Sequence, residues 1–363
     1  MDEGDLAAAS TIFDGRRLTQ ARHLRRKLKV DVAAEVGLTP AAIGQFERGV
    51  SRPRPATVAR LALALGVPPA YFAARPYFAI AESEAHFRRL RSTSRRDRDE
   101  ARAHVEVLAE FVAWLEKALH LPDPDIPTTE PGAAPEAAAQ AVRAAWSLGS
   151  GPVSSMAGLL ERRGFIVARL EAGSDDVDAF SCWLMGRPFV LLTSNKTSPE
   201  RSRFDAAHEL GHVVQHHDAE PGDTIIESEA HRFAAEFLMP ASSIRPELPT
   251  RLDWRRYLQL KFRWGTSLAA LVRRSRDLDA ITEHAYRRAM MEMGRRGWRT
   301  NEPSVGLEPE TPELMRRGLE LLKQDRGLDL ADAARALQIS LADTRVLASM
   351  ASAVDERAVV VSS

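Results

Sequence analysis

Between residues 16 and 72, apolar residues recur at steps of three and four in short bursts. Leu18, Ala21, Leu24 and Leu28 share one helix face, with arginines on the others. DVAAEVG predicts a second short helix closed by Gly37. Thr39 and Pro40 then supply an N-cap and a first-turn proline for a third helix, AAIGQFERG, which Gly49 closes. After the turn SRPRP, ATVARLALALGV predicts a fourth. Two short helices across a glycine-containing turn form a helix-turn-helix unit. Residues 82–119 read as a charged helical connector, and the alternating charges of Arg88–Arg102 as a solvated face. Five prolines then fall between Pro122 and Pro135, the composition of an extended linker.

Beyond that linker the periodicity changes. AAAQAVRAAWSLG and SSMAGLLERRG are helical, but GFIVARL, DAFSCWL and RPFVLLT are strand-like, rich in Val, Phe and Trp and bounded by Gly, Asp and Pro. Ser198-Pro199-Glu200 opens a long helix reaching His217, and a further helix runs from about Thr224 to Met239, stopped by Pro240. The remainder is helical except for the turn-rich GWRTNEPSVGLEPETPE. The expected fold is mostly α with a small β-sheet. It divides into an N-terminal tail (1–15), an all-α helix-turn-helix domain (16–75), a helical connector (76–120), a Pro-rich linker (121–138), an α+β domain (139–300) and a helical C-terminal region (301–363).

Composition narrows the class. The chain has 363 residues, enough for two or three domains at about 100–200 residues each. With 44% hydrophobic residues it can build packed cores. No apolar run of about 18 residues is present, so no membrane span or membrane partner is expected. The acidic start MDEGDLAAAS lacks the basic and apolar regions of a secretory signal, and the single cysteine, Cys182, suits a reducing compartment. Both point to the cytoplasm. The formal net charge is zero, yet residues 1–75 carry twelve Lys/Arg against seven Asp/Glu, or +5, which leaves −5 for the rest. The balance therefore hides a basic end suited to nucleic acid.

Five of the ten histidines (His208, His212, His216, His217 and His231) fall within 24 residues. His208-Glu209-Leu210-Gly211-His212 matches H-E-x-x-H, a match expected by chance in roughly 0.02 of chains this long. One helical turn separates His208 from His212, so both imidazoles can reach one ion at about 2.0–2.1 Å. Glu209, rotated by about 100°, lies beside the ion, where it can take a proton from activated water. A catalytic zinc site takes three protein ligands and keeps one open position. His216 lies about 12 Å along the helix from His208 and cannot share its ion. Asp218 would need a turn-forming glycine where Gln215 stands. Glu227 and Glu229 flank the apolar face of the next helix at nearly equal angles, so periodicity leaves both open. His231, four residues after Glu227, would give that glutamate a supporting partner. Cys182, in a strand with no adjacent base, reads as core.

HELGH preceded by R-x-R-F-D-A-A and followed by E-x-E-A-x-R-F-A-A-E-F-L-M-P resembles the ImmA/IrrE family of metallo-endopeptidases. The likeness covers roughly residues 140–300 and includes VDAFSCWL and PFVLL. It implies a zincin-like fold, a Zn2+ cofactor, Glu227 as third ligand and Glu209 as catalytic base. It further implies cleavage of a helix-turn-helix repressor, another protein or this chain itself, to relieve repression. His231 departs from the family, which more often has Asn there. His231, His217, Arg203 and Tyr257 are the candidates for supporting the ligands or binding the oxyanion.

Segment 16–72 resembles the Cro/C1-type (XRE) helix-turn-helix, through ARHLRR, VAAEVGLTPAAIGQFERG and LALALGV. That resemblance implies double-stranded DNA as a partner, with helix 39–48 in the major groove. Thr39, Ala41, Gln45, Arg48 and Arg52 are the expected contacts: Gln45 suits adenine, Ala41 a thymine methyl, and the basic residues phosphates. Asp31, at the start of the preceding helix, places a carboxylate where a phosphate-binding Gln is common. A homodimer is compatible with this reading. The rival reading is a transcription factor whose zincin-like domain senses a metal, peptide or metabolite without cutting.

Overall fold

The computed structural model describes residues 3–74, 78, 94–170, 179–193, 198–216 and 224–350. The molecule is mostly helical with one small sheet, as the hydrophobic pattern indicated. The four expected N-terminal helices are α2 (Gly15–Leu24), α3 (Lys29–Val36), α4 (Pro40–Glu47) and α5 (Pro55–Leu65). Thr39 caps α4, its hydroxyl accepting from the Ala42 amide at 3.2 Å, and Gly37 closes α3 in the left-handed region at φ 68°. Asp31 is a capping residue too: its carboxylate accepts from the Leu28 amide at 2.7 Å, which explains an acid in that place. Gly15 is required where α2 begins, because a Cβ there would stand 2.2 Å from the Phe46 carbonyl oxygen. The stretch expected as a tail contributes a helix, α1 (Glu3–Thr11), against α5 and the 3-10 turn Pro69–Ala73. Phe13 follows it into the core, its ring 5.2 Å from that of Phe72.

α6 (Arg95–Glu116) crosses α2. The alternating charges at its start form the expected solvated face only in part: Arg95 and Arg96 are exposed, and residues 88–93 lie outside the described residues. Asp97 and Glu100 are buried against Arg26, and further along Glu106 and Glu110 meet Gln20 and Arg17. Periodicity reports only that such a face is polar; whether water or another domain covers it depends on contacts distant in sequence. The Pro-rich stretch that follows is docked rather than free. Arg187 donates to the Pro122 carbonyl, Trp146 to the Asp125 carbonyl at 3.1 Å, and the Asp125 amide to the Arg163 carbonyl at 3.0 Å.

The sheet has the order β1 (Ile166–Leu170), β3 (Arg187–Thr193), β2 (Phe180–Leu184), with β1 parallel and β2 antiparallel to β3. Alternation gives it two buried faces. Ile166, Ala168, Phe180, Cys182, Phe189 and Leu191 join the core shared with α6 and the N-terminal helices. Val167, Val190 and Leu192 join a second core built from α7 (Pro135–Ala145), α8 (Met156–Arg162), α9 (Pro199–Gln215), α10 (Thr224–Leu238), α11 (Ala241–Ile244), α12 (Trp254–Trp264), α13 (Leu268–Asp277) and α14 (Glu283–Arg295).

The turn-rich stretch after α14 carries staples. Glu302 accepts from the Leu268 amide at the start of α13 and from Lys261, and Glu310 accepts from the Ala157 amide at the start of α8. Anionic side chains at helix N-termini satisfy amides that lack a partner within the helix. α15 (Leu314–Arg326), α16 (Leu330–Leu337) and α17 (Leu341–Ser349) then return to α6, and Arg25 of the segment after α2 pairs with Asp343 at 2.7 Å. No helix among the described residues is long and apolar enough to cross a membrane.

Candidate active site

α9 opens with Pro199 in its first turn and Glu200 beside it, and buries His208, Glu209 and His212 on the side facing the sheet and α10. Gly211, between the two histidines, sets the approach of α10. A Cβ at Gly211 would meet Phe233 at 3.1–3.2 Å, so the hydrogen there lets the phenyl ring sit almost on the α9 backbone. Phe233 stacks on Phe237 with the planes 9° apart, a buried anchor for α10. That contact brings Glu227, in the first turn of α10, over the histidines.

Three donors converge. The Nε2 atoms of His208 and His212 lie 2.9 Å apart, and the Glu227 carboxylate oxygens lie 3.3 Å from the first and 3.6 Å from the second. Among the described residues, these three form the group able to hold a metal ion. Donors about 2.0–2.1 Å from a tetrahedral ion stand about 3.3 Å from one another, so the observed spacing suits a zinc-sized site with an N2O donor set. The histidines are buried, whereas the Glu227 side chain is 30% exposed, so the triad is reached from the α10 side.

Glu209 is fully buried and its Oε2 accepts from the Ser181 hydroxyl at 2.8 Å. Ser181 belongs to β2 and pairs in register with Val190, on the face turned toward α9. Sequence reading passed over this residue, although strand alternation in DAFSCWL sets it opposite Phe180 and Cys182. Cys182 is core, as expected; burial, with the Glu209 charge adding to it, pushes its thiol up.

Behind His212 runs a second chain of groups. His216 Nδ1 lies 3.2 Å from His212 Nδ1, and His216 Nε2 lies 3.0 Å from the Glu229 carboxylate. With His212 Nε2 turned to the triad, its Nδ1–H can donate to His216, which in turn donates from Nε2 to Glu229. Glu229, one of the two glutamates that helical angles could not separate, thus stands behind the site instead of facing it. Burial, against the hydrogen bond to Glu229, holds His216 below the ordinary imidazole range, in keeping with a neutral ring.

The remaining candidates separate. The His231 ring packs on Phe204 at 4.7 Å and lies 6.4 Å from that of His208, so it borders the site. Arg203 is not brought into it: its guanidinium donates to the carbonyls of Gly265, Ser154 and Val153 and pairs with Glu310. Tyr257 donates to Ser275 at 2.9 Å inside the helical core. His217 and Asp218 lie outside the described residues. At the N-terminal end Ala41, Gln45 and Arg48 are exposed along α4, with Thr39 at its cap. Arg52 is tied to the Thr11 carbonyl at 2.7 Å, which fixes the end of α1.

The model of the IrrE N-terminal-like domain, a peptidase family, matches residues 160–276, and a helix-turn-helix model matches residues 20–72. No curated protein matches the chain. The chain therefore fuses an XRE-type helix-turn-helix domain to an ImmA/IrrE-like domain. It is a DNA-binding regulator with a domain of a metallopeptidase-type family.

Proposed function

We propose that the protein is a zinc-dependent endopeptidase that cleaves a helix-turn-helix repressor, in trans or in its own chain, and so relieves repression at the DNA it binds. The convergence of His208, His212 and Glu227 beside a buried Glu209 is the observation that carries this reading. Zinc held by those three residues would supply Lewis acidity toward the scissile carbonyl and the attacking water. Ser181 holds Oε2 of Glu209, which orients the carboxylate that would take the water proton and return it to the leaving amine. His216 and Glu229 hold the His212 ring in the tautomer that presents Nε2. On DNA, α4 enters the major groove with Gln45 and Ala41 toward base edges, Thr39 and Arg48 lie toward the backbone, and Arg52 steadies α1 beside them.

The test compares wild type with Glu209→Gln, each assayed for zinc content and for cleavage of helix-turn-helix repressors encoded beside it. Both proteins should hold zinc, and only the wild type should cut. If neither cuts any of them while both retain zinc and bind the operator alike, the peptidase reading fails and the sensor reading takes its place.

A further inference from the structure

A cleft of about 520 Å3 lies where the end of α2, the start of α3 and the first turns of α6 meet. Its cationic lining includes Arg26, Lys27, Lys29, Arg95, Arg96 and Arg102, against the carboxylates of Glu47 and Asp99. We infer that this cleft extends the DNA-binding surface, with Arg95 and Arg96 of α6, outside the matched helix-turn-helix segment, holding backbone phosphates. The inference rests on the DNA-binding reading of the N-terminal domain.

Three observations support it. First, the cleft is continuous with the recognition helix. Lys29 Nζ lies 3.0 Å from the carboxylate of Glu47, the last residue of α4, and 3.7 Å from where a Cβ on Gly44 would stand. Second, the acids of α6 are spent within the protein. Asp97 and Glu100 clasp Arg26, which fixes the first turns of α6 against the helix-turn-helix domain. Arg95 is 84% exposed, and the Asp99 carboxylate lies 3.9 Å from it. Arg96 is exposed and makes no ion pair within 4.0 Å among the described residues. Third, the lysine and arginine side chains of the lining outnumber its carboxylates, Glu47 and Asp99. His23 in its wall is pushed down to about 3, by burial first and only then by Arg22 and Arg102. Phosphates spaced along a duplex suit such a row of exposed guanidinium groups, which bind phosphate oxygens in a fork geometry.

The experiment measures binding of the full chain to a fluorescent duplex of mixed sequence across a salt series, for wild type, Arg95→Ala/Arg96→Ala, Arg95→Lys/Arg96→Lys and Arg48→Ala. Losing two phosphate contacts should lower the slope of log K against log salt by about 2, and the wild-type advantage should shrink about 12-fold between 50 and 200 mM salt. The double lysine variant should keep the wild-type slope. A double alanine variant with wild-type affinity and slope overturns the inference, while loss of binding in Arg48→Ala leaves the recognition-helix reading standing. No binding by any of the four sinks the DNA reading and this inference together. Inorganic triphosphate that binds only when Arg95 and Arg96 are present, with the duplex slope unchanged, assigns the cleft to a small polyphosphate and overturns the DNA assignment.

Discussion

Two pairs of helices hold the working parts of this molecule, and they are built from opposite materials. α9 and α10 meet through an apolar seam, with Phe233 and Phe237 packed against a backbone that Gly211 leaves bare. α2 and α6 meet through charge. Arg17, with no exposed surface, forks onto Glu110 at 2.7 and 3.0 Å, and Gln20 reaches Glu106 at 3.0 Å. Close apolar packing has one best fit, and a site whose ligands must stand about 3.3 Å apart needs that. A buried ion pair adds little net stability against a hydrophobic pair of the same shape, but it penalises every misaligned arrangement. The first seam places atoms; the second selects the orientation in which the DNA-binding domain docks.

That contrast can be broken at several points. The largest effect is expected at the charged seam. Glu110→Ala leaves Arg17 buried without its carboxylate and should cost about 3–5 kcal/mol in denaturant unfolding, whereas Arg17→Met/Glu110→Leu should recover most of it. A double variant as unstable as the single one would show that the pair is a net stabiliser and not an orienting device.

At the site, Glu227→Ala should abolish zinc retention, whereas Glu229→Ala should keep the metal with affinity weakened about 10–100-fold, read by competition with a chelating dye. The reverse order of effects would exchange the roles of the two glutamates. Gly211→Ala tests the apolar seam directly. The added methyl should push Phe233 away and cost about 1–3 kcal/mol, with zinc affinity falling along with stability. Unchanged zinc binding in that variant would separate the packing of α10 from the placing of Glu227.

The smallest effect concerns pH. His104, half-buried on α6 beside Leu347 and Asp343, is pushed down to about 4 by burial first and then by Arg25. A base whose pKa is depressed by folding leaves stability intact above its ordinary 6.5 and removes it as pH falls toward 4. Partial solvent access keeps the loss to about 1–2 kcal/mol. His104→Leu should flatten the melting temperature over that window, with the residual slope belonging to His23 and the carboxylates. An equal slope in both proteins would remove His104 from the account.

What could be read in advance divides along the same line. The histidines and Glu209 were legible because one helical turn brings them together, and helix geometry is local. The third ligand was not decided by angles, since Glu227 and Glu229 flank the α10 apolar face almost symmetrically; it took the family resemblance to separate them, and the packing of α10 on Gly211 displays the difference. Ser181 was within reach of strand alternation, but the partner it meets lies on another element. Asp97 and Glu100 of α6 were misread as solvated because sequence patterns report polarity, not what covers it; Arg95 and Arg96 beside them are exposed. Arg203 and Tyr257 were plausible by residue type alone, and both serve the helical core.

The proline-rich stretch has one more consequence. Its first residues are held by Arg187, Trp146 and the backbone of Arg163, and Ala133 near its end by Gln215. A free linker of that length would let two domains tumble at separate rates, each sampling its own cone. Docked on the α+β domain, whose sheet shares one core with α6 and the N-terminal helices, it should turn together with the DNA-reading end, and a single rotational correlation time is expected for both halves in solution.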